Sequence, residues 1–146
     1  MDKRELLLVA LGQGGNDFHT PVQVQKLLFL IDKNIGERLG GPFFNFAPYD
    51  YGPFDSSIYE VLRDLERDEL ICSKAATNGM KIHGLTDKGL IKCNQLSQLI
   101  DPISIDYIKR VSEFVRSLSF PELVSAIYKA YPEMKLNSVF QDRTGK

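Results

Sequence analysis

The chain is short of the residues and patterns from which many functions are inferred. Its 146 residues include only two cysteines, Cys72 and Cys93, and no Cys-x-x-Cys pair. That count argues against a disulfide framework and against a structural zinc site. Two reduced thiols are what a cytoplasmic protein is expected to carry. The formal net charge is only −1, so bulk charge does not indicate a nucleic-acid-binding protein.

The sequence also shows no hydrophobic pattern typical of a membrane-spanning or targeting segment. The apolar run over residues 6–11 is too short to cross a bilayer, and acidic residues flank it, unlike a signal peptide. We therefore expect no membrane association and a first core helix over residues 3–11. The composition is that of a globular protein. We expect one domain over residues 1–140 and a flexible tail over residues 141–146.

Several segments carry the signals of helix starts. Thr20, Pro21 and Gln23 have the residue types and spacing of a capping box with proline in the first turn. A third helix is predicted to begin at Asp55 or Ser57, and Ser57 with Glu60 has the capping-box spacing. Further helices are predicted to begin at Thr86, at Ser104 and at a capping box formed by Ser119 and Glu122.

The hydrophobic period changes between the third and fourth helices. Residues 70–73 and 80–85 alternate as two short strands, joined by a turn at Asn78-Gly79. Three helices followed by such a hairpin are the order of a winged helix-turn-helix. We therefore predict an α+β, mostly helical fold: a winged helix-turn-helix-like domain with a short two-stranded wing and additional C-terminal helices. Those last helices could mediate a homodimer or simply enlarge the core.

Three segments together resemble one family. They are Lys26 to Asp32 (KLLFLID), Phe46 to Phe54 with its Tyr-Gly-Pro run, and Leu65 to Ile71 followed by Leu85 to Gly89 (LTDKG). The pattern is similar to that of the Panacea, or SocA-like antitoxin, domain family and its YwgA-like relatives. The resemblance implies a non-enzymatic module that contacts a protein partner directly, neutralising a toxin or acting as an adaptor for a client.

Charge along the chain bears on the choice between a protein and a DNA partner. The predicted third helix, residues 55–69, holds six acidic residues against Arg63 and Arg67, a net charge of −4. DNA affinity comes largely from neutralising phosphates, so this helix is a poor groove reader. The wing is basic, with Lys74 and Lys81 among its charges, and could contact a DNA backbone. A DNA-binding regulator is therefore the alternative, and a solvated face is the simplest interpretation of Arg63 and Arg67.

Six aromatic residues between positions 43 and 54 form the densest apolar stretch. Tyr49 and Tyr51 flank Asp50 in a segment bounded by proline and glycine, where side chains are often partly exposed. Tyrosine is enriched among the anchors of protein interfaces. The two rings either form a contact surface or close the core over the second helix.

Candidates for catalysis are few. Cys72 and His83 lie on the two arms of the predicted wing and could be neighbours, as a thiolate nucleophile requires. No third orienting group accompanies them, no His, Asp or Glu spacing suggests a metal site, and the glycines at positions 12–15 lack the dinucleotide-binding pattern. We expect no enzyme activity, no metal and no cofactor.

Overall fold

Six α-helices and two small antiparallel sheets form the described part of a computed structural model, residues 1–15 and 17–140. In chain order the elements are α1 (Lys3–Gly12), α2 (Pro21–Ile35), β1 (Ala47–Tyr49), β2 (Gly52–Phe54), α3 (Ser57–Arg67), β3 (Ile71–Ala75), β4 (Lys81–Leu85), α4 (Asp87–Ser97), α5 (Pro102–Ser117) and α6 (Phe120–Ala130). Short 3-10 helices cover Glu37–Leu39 and Pro132–Lys135. The predicted α+β, mostly helical class is confirmed at this level.

Helix α1 lies at the centre of the core. Every residue from Leu6 to Leu11 is at most 2% exposed, and α2, α3, α4 and α5 all pack against it. A helix that is apolar on all sides has no face for water and is stable only when it is surrounded. Asp2 and Glu5 form a capping box at its start.

Local capping signals account for most helix starts. The predicted capping boxes of Thr20 with Gln23 and of Ser119 with Glu122 both form, and Thr86 caps α4. The prediction for α5 was wrong by about one turn. Asp101 is its N-cap and accepts a hydrogen bond from the Ser104 backbone N–H, so Ser104 lies inside the first turn.

Of the two predicted starts of α3, Asp55 and Ser57, the second is confirmed. Ser57 is the first helical residue, and its N–H donates to the Asp55 carboxylate at 2.8 Å. The other Asp55 oxygen accepts from the backbone N–H of Asn45 at 2.7 Å. Asp55 therefore belongs to the loop before α3, and the capping box of Ser57 with Glu60 does not form.

The second hairpin has the predicted place in the chain. Strands β3 and β4 pair antiparallel, with Leu70 and Met80 just outside them. His19, which precedes α2, adds an isolated bridge to β4: its backbone exchanges hydrogen bonds with that of His83 at 2.8 and 2.9 Å. The segment between α1 and α2 is thus joined to the edge of the sheet.

The predicted tail, residues 141–146, lies outside the described residues. Within the described ranges, none of the helices has both the length and the apolar character that crossing a bilayer requires.

Candidate functional site

The aromatic stretch forms a short hairpin, which was not predicted from sequence. Strands β1 and β2 pair antiparallel with Tyr49 opposite Gly52, so Asp50 and Tyr51 make the turn. Tyr49 is 55% exposed and Tyr51 is 43% exposed. Neither ring therefore closes the core, which was one of the two interpretations open from sequence.

Ring contacts hold both tyrosines in place. Tyr49 stacks on Phe54 with centroids 5.1 Å apart, and Phe54 in turn contacts Tyr59 of α3 at 5.7 Å. Tyr51 meets the edge of Phe120 of α6 at 5.2 Å. Aromatic pairs at these separations stabilise by about 0.5–1.5 kcal/mol each beyond their burial. These contacts therefore restrict the movement of the two exposed tyrosine rings.

The C-terminal segment buttresses the turn of this hairpin. The Val139 N–H donates to the Asp50 carbonyl oxygen at 3.0 Å, and the Asn137 side chain donates to the Pro48 carbonyl oxygen at 3.2 Å. Because these bonds satisfy turn carbonyls, the hairpin is tied to the body of the protein although it has only three residues in each strand.

A cleft of about 210 Å³ opens between the hairpin, α2 and α3. We call it the tyrosine cleft. It is lined by Pro21, Val22, Gln25, Lys26, Tyr49, Asp50, Tyr51, Gly52, Phe54 and Tyr59. Two predicted contact residues, Tyr49 and Tyr51, are therefore on the wall of a concave site.

Lys26 is the buried charged group of the tyrosine cleft. It is only 3% exposed, and its Nζ donates to the Pro53 carbonyl oxygen at 3.3 Å. Burial lowers its pKa from 10.5 to about 8, because a charged amine is poorly solvated there. Gly52 lies beside Lys26 and has φ +102°. Only glycine adopts that backbone conformation without strain.

Two other polar residues of α2 hold the aromatic segment. Gln25 donates to the Asp55 carbonyl oxygen and accepts from the Asp55 N–H, both at 3.0 Å. The Asp32 carboxylate accepts from the N–H groups of Phe43 and Phe44 at 2.7 and 3.0 Å. The roles of these three buried polar residues, Gln25, Lys26 and Asp32, were not predicted from sequence. Their signal was polar side chains embedded in the otherwise apolar segment from Gln25 to Asp32.

The predicted basic contacts lie elsewhere. Arg67 forms an exposed ion pair with Asp64 at 3.0 Å, and Arg63 is exposed on the same helix. Lys74 lies over the Phe18 ring, 4.2 Å from its centroid, and Lys81 is exposed on β4. None of these four residues lines the tyrosine cleft as described.

The charge of α3 is smaller than predicted, because Asp55, Asp68 and Glu69 are not part of the helix. Residues 57–67 hold three acidic residues and two arginines, a net charge of −1. Asp68 is paired with Arg4 of α1 at 2.6 Å. Helix α3 therefore has no net positive charge with which to neutralise phosphates.

The proposed pairing of Cys72 with His83 was wrong. The strand register places Cys72 opposite Gly84 and His83 opposite Ser73. Neighbouring strand positions point to opposite faces of a sheet, so thiol and imidazole are directed apart. The other thiol, Cys93, is buried, and burial raises its pKa, which disfavours the thiolate.

The two histidines are buried next to each other at the isolated bridge. His19 is fully buried, and three of the four imidazole nitrogens, both of His19 and Nδ1 of His83, have no hydrogen-bond partner in the described structure. Burial lowers the pKa of His19 from 6.5 to about 4 and also lowers that of His83. Both imidazoles are therefore neutral near pH 7. The described residues contain no cluster of three metal-ligating side chains.

A larger cavity of about 720 Å³ lies between the end of α2 and α5. Its buried charged group is already engaged, because Asp32 binds the two backbone N–H groups described above. Arg38 pairs with Asp101 at 3.0 Å while donating to Ser104, and the other charged lining residues, Lys33 and Glu37, are exposed. The tyrosine cleft is the better candidate because its buried charge has no charged partner among the described residues.

Comparisons with known proteins do not identify the chain. No family model matches the sequence, and no curated protein matches it significantly. The resemblance to the SocA-like antitoxin family thus rests on the three sequence segments alone. Two of those segments meet in space, since Lys26 belongs to the first and Pro53 to the second.

Proposed function

We propose that the protein is a non-enzymatic binding module that holds a protein partner in the tyrosine cleft. The observation that carries this proposal is the pair of exposed tyrosines, Tyr49 and Tyr51, supported by ring contacts beside a concave site. Tyrosine provides a large, stiff contact area at low entropic cost, and anchors of this kind dominate interface energies. A partner would bury both rings and cover the cleft.

The class of partner comes from the resemblance. A SocA-like module would bind a toxin or a client and act by occluding it or delivering it to a protease. The order of α1, α2, α3 and the β3–β4 hairpin, with the His19 bridge at the sheet edge, supports a winged-helix-like description of the domain. Arg63, Arg67, Lys74 and Lys81 would then supply peripheral charges that steer association.

Affinity capture tests the proposal directly. The tagged protein is used to isolate partners from its source cells, and the affinity of the purified complex is then measured by calorimetry. Replacing Tyr49 and Tyr51 together by serine should weaken the complex about thirtyfold or more, the effect of losing an interface anchor.

The matched control is Phe114→Ser. Phe114 is an aromatic residue of α5 with comparable exposure, 46%, and it makes none of the ring contacts described above. Equal affinity for the tyrosine variant, the Phe114 variant and the unaltered protein would remove the tyrosine cleft from the interface.

A DNA-binding winged-helix regulator is the second candidate, favoured by the lysines of the wing. Two observations oppose it. The connection between α2 and α3 covers residues 36–56, where a helix-turn-helix has a turn of about 3–4 residues, and α3 has a net charge of −1 instead of a positive one. Fluorescence anisotropy with a mixed-sequence duplex at low and near-physiological salt tests this alternative.

Binding that weakens steeply with salt, and that is lost when Lys74 and Lys81 are replaced by glutamate, would favour the regulator. Absence of binding at low salt would remove it. Binding that survives both substitutions would exclude the wing as the DNA contact.

A further inference from the structure

The tyrosine cleft contains a positive charge that the described residues leave uncompensated. An ammonium group has three N–H donors, and Lys26 uses one of them, on the Pro53 carbonyl oxygen. No carboxylate in the described structure lies within ion-pair distance of its Nζ, although Asp50 lines the same cleft. Two donors therefore remain without an acceptor.

A structural role does not account for a lysine at this position. Burying a charge without a counter-charge is costly, and a neutral side-chain amide could donate to the Pro53 carbonyl oxygen at a smaller cost. Residues that violate such a rule are concentrated at functional sites. The position of Lys26 on the wall of an open cleft is consistent with a role in binding an anion.

The size of the cleft limits what that anion can be. Sites for drug-sized ligands and cofactors have volumes of about 300–1,000 Å³, and the tyrosine cleft has about 210 Å³. It has room for one side chain and not for a nucleotide. A single lysine matches the single negative charge of a carboxylate, whereas phosphate groups carry nearly two charges and are usually bound by clusters of arginine.

We infer that the tyrosine cleft binds a glutamate side chain of the partner protein, with its carboxylate on the Lys26 ammonium group and its methylene groups between the tyrosine rings. The inference rests on the proposed function and specifies the chemistry that the cleft recognises. Glutamate is favoured over aspartate because Lys26 is only 3% exposed, and the longer glutamate side chain extends further into the cleft toward the Lys26 ammonium group.

Selection from a library of random linear peptides displayed on phage tests the inference without knowledge of the partner. The unaltered protein should enrich peptides that share a glutamate next to an apolar residue. In synthetic copies of these peptides, Glu→Gln should weaken binding about tenfold or more, as the loss of a charge-assisted hydrogen bond does. The same change should have no effect on binding to the Lys26→Met variant.

Two further variants make the test specific. Lys26→Gln keeps a donor for the Pro53 carbonyl oxygen without the charge, so it should lose the preference for glutamate while retaining the local structure. Lys33→Met removes an exposed lysine of the same helix and should leave the selected peptides unchanged. Thermal unfolding of each variant verifies that it is folded.

The failures of the two proposals are distinguishable. Enriched peptides that lack a shared acidic residue but need Tyr49 and Tyr51 would overturn the carboxylate inference and support the protein-binding cleft. A glutamate preference that survives Lys26→Met would also overturn the inference. Enrichment of no peptide at all would count against it, while the capture experiment with the tyrosine variant would still decide the proposed function.

Discussion

Replacing Lys26 by methionine should make the protein more stable at neutral pH. The pKa of Lys26 is lowered from 10.5 to about 8 in the folded protein, and each pKa unit corresponds to about 1.4 kcal/mol. The charged lysine therefore costs about 3 kcal/mol relative to the unfolded chain. Methionine has a similar length and no charge, but it leaves the Pro53 carbonyl oxygen without a donor, which costs about 1–3 kcal/mol. The expected net gain is about 1 kcal/mol.

The pH dependence of this gain separates charge from packing. Between about pH 8 and pH 10.5 the unfolded chain binds more protons than the folded protein, so the unaltered protein gains stability as the pH rises through this range. The advantage of Lys26→Met should shrink there and then reverse. Urea unfolding followed by circular dichroism measures it, with Lys33→Met as the control. If Lys26→Met instead lowered the free energy of unfolding by more than about 2 kcal/mol at neutral pH, Lys26 would be a structural hydrogen-bond donor. The inferred cost of burying its charge would then be refuted.

Three further outcomes are expected from stability measurements. His19 is neutral when buried, with its pKa lowered from 6.5 to about 4, so unfolding takes up a proton between these values. Stability should fall by about 3 kcal/mol as the pH decreases from 6.5 to 4, and His19→Phe should flatten that part of the urea-midpoint profile; an unchanged profile would exclude His19 as its source. Gly89→Ala should lower the free energy of unfolding by about 1–3 kcal/mol and with it the melting temperature, because the new Cβ would collide with the Leu70 carbonyl oxygen. This loss is expected although alanine favours helix formation. A higher melting temperature would refute the close packing of α4 against Leu70, the residue before β3. Gln25→Leu should cost about 1–3 kcal/mol in urea unfolding, because the Asp55 N–H loses its acceptor and the Asp55 carbonyl oxygen loses one of two donors, keeping the Ile58 N–H. A loss below about 0.5 kcal/mol would contradict this pairing.

Features that depend on near neighbours in the chain could be predicted from sequence. The capping boxes at Thr20 and Ser119 involve groups three residues apart, so residue type and spacing were enough. The β3–β4 hairpin was predicted for the same reason, because Asn78-Gly79 turns the chain locally. The register of the two strands was not predicted. Cys72 and His83 were considered as neighbours, but Cys72 lies opposite Gly84, one residue away. A shift of one residue places a side chain on the other face of the sheet.

Features that depend on residues far apart in the chain could not be predicted from the sequence. Strands β1 and β2 have three residues each and contain proline, which normally argues against a strand. They persist because C-terminal residues about 90 positions later satisfy their turn. Gln25 and Lys26 find their partners 27–30 residues away, and no periodicity within α2 indicates which polar residue is buried. The exposed tyrosines were candidates from sequence, whereas the charge beside them was not.

The central position of α1 has a consequence for synthesis of the protein. This helix is translated before α2, α3, α4 and α5, and its apolar residues from Leu6 to Leu11 stay without their complete cover until α4 and α5 have been translated. At bacterial or eukaryotic elongation rates of about 5–20 residues per second, that interval lasts several seconds. During it the nascent chain displays a strongly apolar segment, the kind of surface to which chaperones bind. Production of folded protein should therefore depend on chaperone supply during translation more than the stability of the finished fold suggests.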